Sequence, residues 1–325
     1  MQSAYIRGLG KYLPQKILTS EELEDRLGLE RGWIASRTGV ETRHIADSSE
    51  AVSDLAFHAA EDILRNAELD ASALDMIIIA TSMPDMFFPA TACLVQSRLG
   101  AERAAAFDLL NACAGFIYGV SAAAAWVEAG KYKNILVIGA ETLSRMLDWT
   151  DRKTCVLFGD GAGGFLISDR GEHRICGFHL GADGSKGHVL SLRGGGSRYP
   201  STPQMIEQGL QYLYMEGGEV FRFAKVALGD AVKATVKNAG CAISNLSLVI
   251  PHQSNVRIIE EAAKILGIPS ERFYINIREC GNTAAASVPL AAAMAVEEGR
   301  IKQGDLVAMV SYGAGLAWAA MVVEW

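Results

Sequence analysis

The sequence predicts an α/β protein in which one strand-and-helix unit is used twice, and three observations carry that reading. Buried-strand runs such as MIIIA and LSLVIP alternate with amphipathic segments such as SDLAFHAAEDILRN, the pattern of sheets covered by helices on both faces. Two long uncharged stretches, LLNACAGFIYGVSAAAAWV at 109–127 and CGNTAAASVPLAAAMAV at 280–296, each follow an extended apolar segment. Set side by side, the stretches and their flanks repeat. FDLLNACAGF and EAGKYKNILVIGAE in the first half parallel INIRECGNTAAAS and EEGRIKQGDLVAMVSYGA in the second, at an offset of about 170 residues.

Each element follows from local pattern. DLAFHAAEDILRN and VALGDAVKATVKN read as amphipathic helices, each leading through a short polar loop into a buried strand. Residues 109–127 approach the length of a bilayer-spanning helix, but they open on Asn-Ala-Cys-Ala-Gly and are weak in Leu and Ile. With their partner at 280–296 they read as paired, close-packed central helices, so no membrane span is expected. The boundary falls near Asp169-Arg170-Gly171-Glu172, without a Pro- or Ser-rich linker, which predicts halves 1–171 and 172–325 fused across a shared interface with a site between them. GDGAGG at 159–164 runs into apolar FLI instead of GK[ST] and a helix, and RGGGS at 193–197 sits in a polar loop. Both read as backbone-packing glycines, not phosphate loops.

Composition bounds the function. The chain has 325 residues, 50% of them hydrophobic and 21% charged, with a formal net charge of −7, which excludes disordered, collagen-like and small disulfide-stapled classes. No basic stripe offers itself to nucleic acid. The N-terminus lacks a basic region followed by an apolar run, so a cytoplasmic protein is expected, and six dispersed cysteines without a CxxC pair predict reduced thiols and no metal cluster.

Cys113 lies after an apolar strand at the first turn of a helix, where free backbone N–H groups and the helix dipole favour a thiolate. Any one cysteine among six can equally be a small buried hydrophobe. The equivalent turn of the second half carries Gly281-Asn282, and duplication would bring the two turns face to face. His252 ends the run 246–250 and precedes a helix over 255–266, the strand end where α/β sheets collect ligand sites. His44, His173, His179, His188 and His58 lie in polar, turn-like or exposed helical contexts and read as structural or solvated. Cys113, His252 and Asn282 together admit two readings. One is a papain-like hydrolase in which His activates Cys and Asn orients His, although that class's C-G-S-C-W type signature and fold do not fit a duplicated chain.

The other reading rests on resemblance. NACAGF around Cys113, PHQSN around His252 and GNTAAAS around Asn282 resemble the active-site blocks of β-ketoacyl-acyl-carrier-protein synthase III, a thiolase-like condensing enzyme. RTGVETRHIA, WTDRKTCVLFGDGAGG and SYGAGLAW resemble further blocks of that family, in the family's order and across essentially the whole chain. The resemblance implies a thiolase-like fold of αβαβα layers, two duplicated halves with mixed sheets packed on central buried helices. It implies condensation of an acyl-CoA, through acyl-Cys113, with malonyl-acyl carrier protein at the start of fatty acid biosynthesis. No metal or redox cofactor is implied, coenzyme A thioester being a substrate, and a homodimer is.

By resemblance Cys113 is the nucleophile, His252 and the Asn282 amide hold the enolate oxygen, and the backbone N–H groups of Cys113 and Ala314 hold the tetrahedral oxyanion. The family more often has glycine at 314. Trp33 and Arg152 would flank the adenine of coenzyme A, with Arg37 and Thr38 on the nucleotide portion. Leu143, Phe158 and Met215 would line the acyl pocket, with Phe88 supplied across the dimer interface. Arg222, Arg257 and Lys264 match the carrier-protein patch. GLERG before Trp33 replaces the usual TSDE, and Cys280 replaces a larger residue. Arg145 and Ser287 lie near pocket blocks and leave open a related specialised enzyme, using a dicarboxylic donor such as glutaryl-CoA for pimelate or biotin synthesis, or a secondary-metabolite donor. A non-catalytic partner subunit would carry a degraded site, whereas Cys113, His252 and Asn282 are all present.

Overall fold

The computed structural model describes residues 2–325. Nine strands form one mixed sheet in the order Leu248–Pro251, Leu306–Gly313, Ala317–Glu324, His173–Ala182, Tyr5–Tyr12, Gly161–Ser168, Asn134–Glu141, Met76–Ala80 and Ala105–Leu109. The halves of this sheet meet at a short seam, where Tyr5 pairs with Arg174, Ile6 pairs with His173 and Ile175 N donates to the Ala4 carbonyl oxygen. On either side of that seam the arrangement repeats. Met76 and Leu248, Asn134 and Leu306, and Ala112 and Ala284 begin matching elements, each pair 172 residues apart.

The layers follow from strand alternation, which sends successive side chains to opposite faces. Met76, Ile78, Ala80, Leu248 and Ile250 point inward onto the central helices Gly115–Glu128 and Ser287–Glu297. Ile77 and Ile79 point outward onto the helices Val52–Asn66 and Thr91–Leu99. In the second half Val249, Ala308 and Val310 face the helices Gly217–Asn238 and Val256–Leu266. The result is helix, sheet, helix, sheet, helix, as the αβαβα expectation has it.

The uncharged stretches are these central helices, buried on nearly every side, and their small residues allow close approach. A Cβ added at Gly119 would lie 3.0 Å from Val137 Cγ1. Among the described residues no helix is long and apolar enough to cross a membrane. The glycines of GDGAGG do pack backbone against backbone, a Cβ on Gly159 falling 2.4 Å from the Cys280 carbonyl oxygen and one on Gly164 2.4 Å from that of Val137. RGGGS departs from expectation. Gly194 packs on Leu210, but Gly195 and Gly196 face open space and form part of a cavity wall.

Candidate active site

Each central helix is entered through a 3₁₀ turn, Ala112–Ala114 in the first half and Ala284–Ala286 in the second, and the two turns pack against each other. Ala112 and Ala284 both adopt left-handed backbone, at φ 45° and 43°. Such a conformation costs an alanine on the order of 1–3 kcal/mol and recurs where tertiary packing dictates the turn. It aims Cys113, one residue later, into a cavity of about 730 Å³.

The strand Leu306–Gly313 fixes that turn. Ser311 Oγ donates to the Cys113 carbonyl oxygen at 2.6 Å, and Gly313 lies so close that a Cβ there would fall 2.8 Å from Cys113 N. His252 follows the strand Leu248–Pro251, its ring edge-on to Tyr312 with centroids 5.3 Å apart, and Nδ1 is buried without a partner. Asn282 is held by its backbone, which donates to the Leu157 carbonyl oxygen and accepts from Gly159 N. Its side-chain Oδ1 accepts from Ala284 N at 2.9 Å, which assigns the other end of the amide, the Nδ2 donor, to the cavity. Cys113, His252, Asn282 and Ala314 all line this one space.

Electrostatics correct one expectation. Burial, reinforced by the Glu141 carboxylate, pushes the Cys113 thiol up to about 12, against the pull of its own backbone N–H. The helix start does not produce a free thiolate, because desolvation of the charged form outweighs it. Burial pushes His252 down to about 3, so the ring is neutral. Nor does Asn282 orient His252, its oxygen being taken by Ala284 N. The papain-like arrangement is therefore absent, as is the papain-like fold.

Sequence reasoning missed several groups. Glu141 is fully buried at the end of the strand Asn134–Glu141, accepts from Ser82 N and Ser82 Oγ, and is pushed up to about 7 by burial. A lone carboxylate closing the apolar run ILVIG was the available signal. Tyr312, whose hydroxyl pairs with Ser254 Oγ, and Phe87 also line the cavity.

The remaining predicted residues divide. Leu143, Phe158 and Met215 line the cavity; Phe87, not Phe88, lines it from this chain, and Phe88 projects outward at 84% exposure. Outside the cavity, the Trp33 indole is faced by the Arg37 and Arg152 guanidinium carbons, 4.5 and 5.8 Å from its centroid. The buried Glu24 carboxylate positions this short helix by accepting from Gly32 N and Ile34 N. Thr38 is buried, its hydroxyl donating to the Ile34 carbonyl oxygen and accepting from Val40 N. Arg222, Arg257 and Lys264 are exposed, each with a local partner, namely Glu219, the Ser36 carbonyl oxygen and Glu261. Arg145 donates to the carbonyl oxygens of Asp47 and Ser48, and Ser287 Oγ accepts from Gln253 N. Neither reaches the cavity, whose lining has no charged side chain.

Residues 107–184 match the 3-oxoacyl-[acyl-carrier-protein (ACP)] synthase III family, and residues 236–325 match its C-terminal family. A β-ketoacyl-[acyl-carrier-protein] synthase III of Caldanaerobacter subterraneus subsp. tengcongensis is 48% identical over 324 residues, 99% of this chain and 98% of the relative. The crystal structure of 3-oxoacyl-[acyl-carrier-protein] synthase III from Aquifex aeolicus superposes with a TM-score of 0.92 at 41% identity, covering 99% of this chain and 100% of the other. The Thermus thermophilus enzyme gives 0.92 at 42% identity, over 99% of each chain.

Proposed function

The chain belongs to the β-ketoacyl-acyl-carrier-protein synthase III family, and from that premise we propose that it condenses the acyl group of an acyl-CoA with malonyl-acyl carrier protein. The products are 3-oxoacyl-acyl carrier protein, CO2 and free coenzyme A. The observation that carries the reading is the convergence of Cys113, His252 and the Asn282 Nδ2 donor in one cavity without a charged lining residue.

In the first half-reaction Cys113 Sγ attacks the thioester carbonyl, the bond from that carbonyl to the coenzyme A sulfur breaks, and the proton given up by the Cys113 thiol ends on that sulfur, so coenzyme A leaves as its thiol. The backbone N–H groups of Cys113 and Ala314 are the donors available to the tetrahedral oxyanion, Ala314 following directly on Gly313 at the Cys113 backbone. In the second, the malonyl carboxylate leaves as CO2, the resulting enolate carbon attacks the acyl-enzyme carbonyl, and the carbonyl–sulfur bond breaks to release Cys113 as thiolate, which takes up one proton from solvent to restore the thiol. Neutral His252 and Asn282 supply hydrogen-bond donors for the enolate oxygen without presenting a full charge. No metal or redox cofactor enters either step.

Trp33, Arg37 and Arg152 suit a nucleotide's aromatic and phosphate groups, and exposed Arg222, Arg257 and Lys264 suit an acidic carrier protein. Their local contacts, the Arg222–Glu219 and Lys264–Glu261 ion pairs and the Arg257 bond to the Ser36 carbonyl oxygen, lie at the surface and are cheaply exchanged. Met86, Phe87 and Leu110 expose an apolar patch at the cavity, with Phe88 exposed beside it, which supports a homodimer whose second copy covers the patch and receives Phe88. The uncharged lining favours an apolar acyl group over a dicarboxylic one, whose distal carboxylate would find no cation.

Mass spectrometry after incubation with acyl-CoA tests the reading: an acyl adduct on Cys113 is expected, discharged by malonyl-acyl carrier protein with release of CO2. Absence of an adduct across acetyl, branched and longer apolar donors refutes it, and preference for glutaryl-CoA refutes the apolar donor.

A further inference from the structure

We infer that Gln253 is a positioning residue whose side-chain amide locks the His252 loop to the segment leading into Asn282, so that the two enolate donors share one fixed geometry. The inference rests on the condensing function proposed above. Gln253 is 0% exposed and does not line the cavity, so it cannot act on substrate directly.

A primary amide offers two donor hydrogens and two acceptor lone pairs, and here all four are used. Nε2 donates to the carbonyl oxygens of Pro251 and Tyr274, each at 2.9 Å. Oε1 accepts from Asn276 N at 3.1 Å and Ile277 N at 3.2 Å. The backbone N–H of Gln253 donates to Ser287 Oγ at 2.7 Å. Pro251 ends the strand that presents His252. Ile277 opens the helical turn Ile277–Cys280, which leads through Gly281 into Asn282, and Ser287 begins the second central helix. One side chain and its backbone thus join three elements that share no continuous secondary structure.

Leucine at 253 would leave two carbonyls and two N–H groups buried without partners. Glutamate would set a carboxylate against two carbonyl oxygens. Cys113 is held separately, by Ser311 Oγ and Gly313 on the strand Leu306–Gly313, so a fault at Gln253 should reach the second half-reaction and spare the first.

The test compares the wild type with Gln253→Leu and the milder Ser287→Ala, which removes only the hydroxyl acceptor. Cys113 acylation by the best acyl-CoA donor is followed in single turnover by mass spectrometry, and condensation by CO2 release from malonyl-acyl carrier protein. Gln253→Leu should lower condensation about 100-fold, the scale of a misplacement near 1 Å, and leave acylation within about threefold. Ser287→Ala should shift the same ratio in the same direction, about tenfold, and decides the matter if Gln253→Leu does not fold. Equal losses in both half-reactions, or none in either, overturn the positioning role. A wild type that neither acylates nor releases CO2 overturns the condensing function itself, a result distinct from any variant's behaviour.

Discussion

Substituting Gly313 by alanine tests whether the strand Leu306–Gly313 sets the position of the nucleophile. The added Cβ would stand 2.8 Å from Cys113 N, 3.0 Å from Cys113 Cβ and 3.3 Å from Cys113 Cα, where ordinary contact begins at 3.4 Å. Two backbone segments must therefore separate by several tenths of an ångström. They cannot do so freely, because Ser311 Oγ ties the same turn at the Cys113 carbonyl. The displacement falls on Cys113 sulfur and on its backbone N–H, which approach the thioester together. Misplacement by 1 Å costs about 100-fold in rate, or about 2.7 kcal/mol in barrier, so a shift of about half that should cost about tenfold. Overpacking should also destabilise the fold by about 1–3 kcal/mol. The assay is single-turnover acylation of Cys113 across acyl-CoA concentrations, with thermal unfolding measured in parallel. A Gly313→Ala enzyme that acylates within about threefold of wild type would refute the reasoning.

Cys113→Ala should form no adduct with any donor, and an adduct on another cysteine would redirect the assignment. His252→Ala and Asn282→Ala should each acylate normally yet lose about 100- to 1,000-fold in condensation, as expected for removing one oxyanion donor; loss of acylation in either would show that the two half-reactions share those donors. The Cys113 thiol, raised in the folded chain to about 12 from an ordinary 9, stays protonated through neutral pH. Its alkylation by iodoacetamide should therefore be slow at pH 7 and climb about tenfold per pH unit past pH 10. A plateau between pH 8 and 9 would mean that the helix start outweighs burial after all.

Much of this was legible in the chain because it is local or repeated. Cys113 and His252 interrupt apolar runs just after strands, and Asn282 interrupts one after the turn Ile277–Cys280; an interruption of that kind can be read without knowing what lies across from it. What a residue at a turn touches is not local. Thr38 stands in RTGV beside Arg37, yet the short helix turns its hydroxyl back to Ile34 and Val40. Arg145 and Ser287 lie next to pocket residues in sequence and face backbone in space. Cys113 sits at a helix start, which favours a thiolate, inside a burial that only the other half of the chain creates.

Periodicity, repetition and short motifs survive without coordinates, so the duplicated α/β architecture, the paired uncharged central helices and the candidates Cys113, His252 and Asn282 can be read from the chain. The tertiary structure alone decided the rest: the Asn282 donor turned to the cavity by Ala284 N, the neutral state of thiol and imidazole, and the absence of any charge to receive a second carboxylate. Gln253 belongs with these, its role resting on bonds to residues as far along the chain as Ser287. Hydrogen-bond partners and desolvation depend on what packs around a group, and that is settled only when the two halves close on each other.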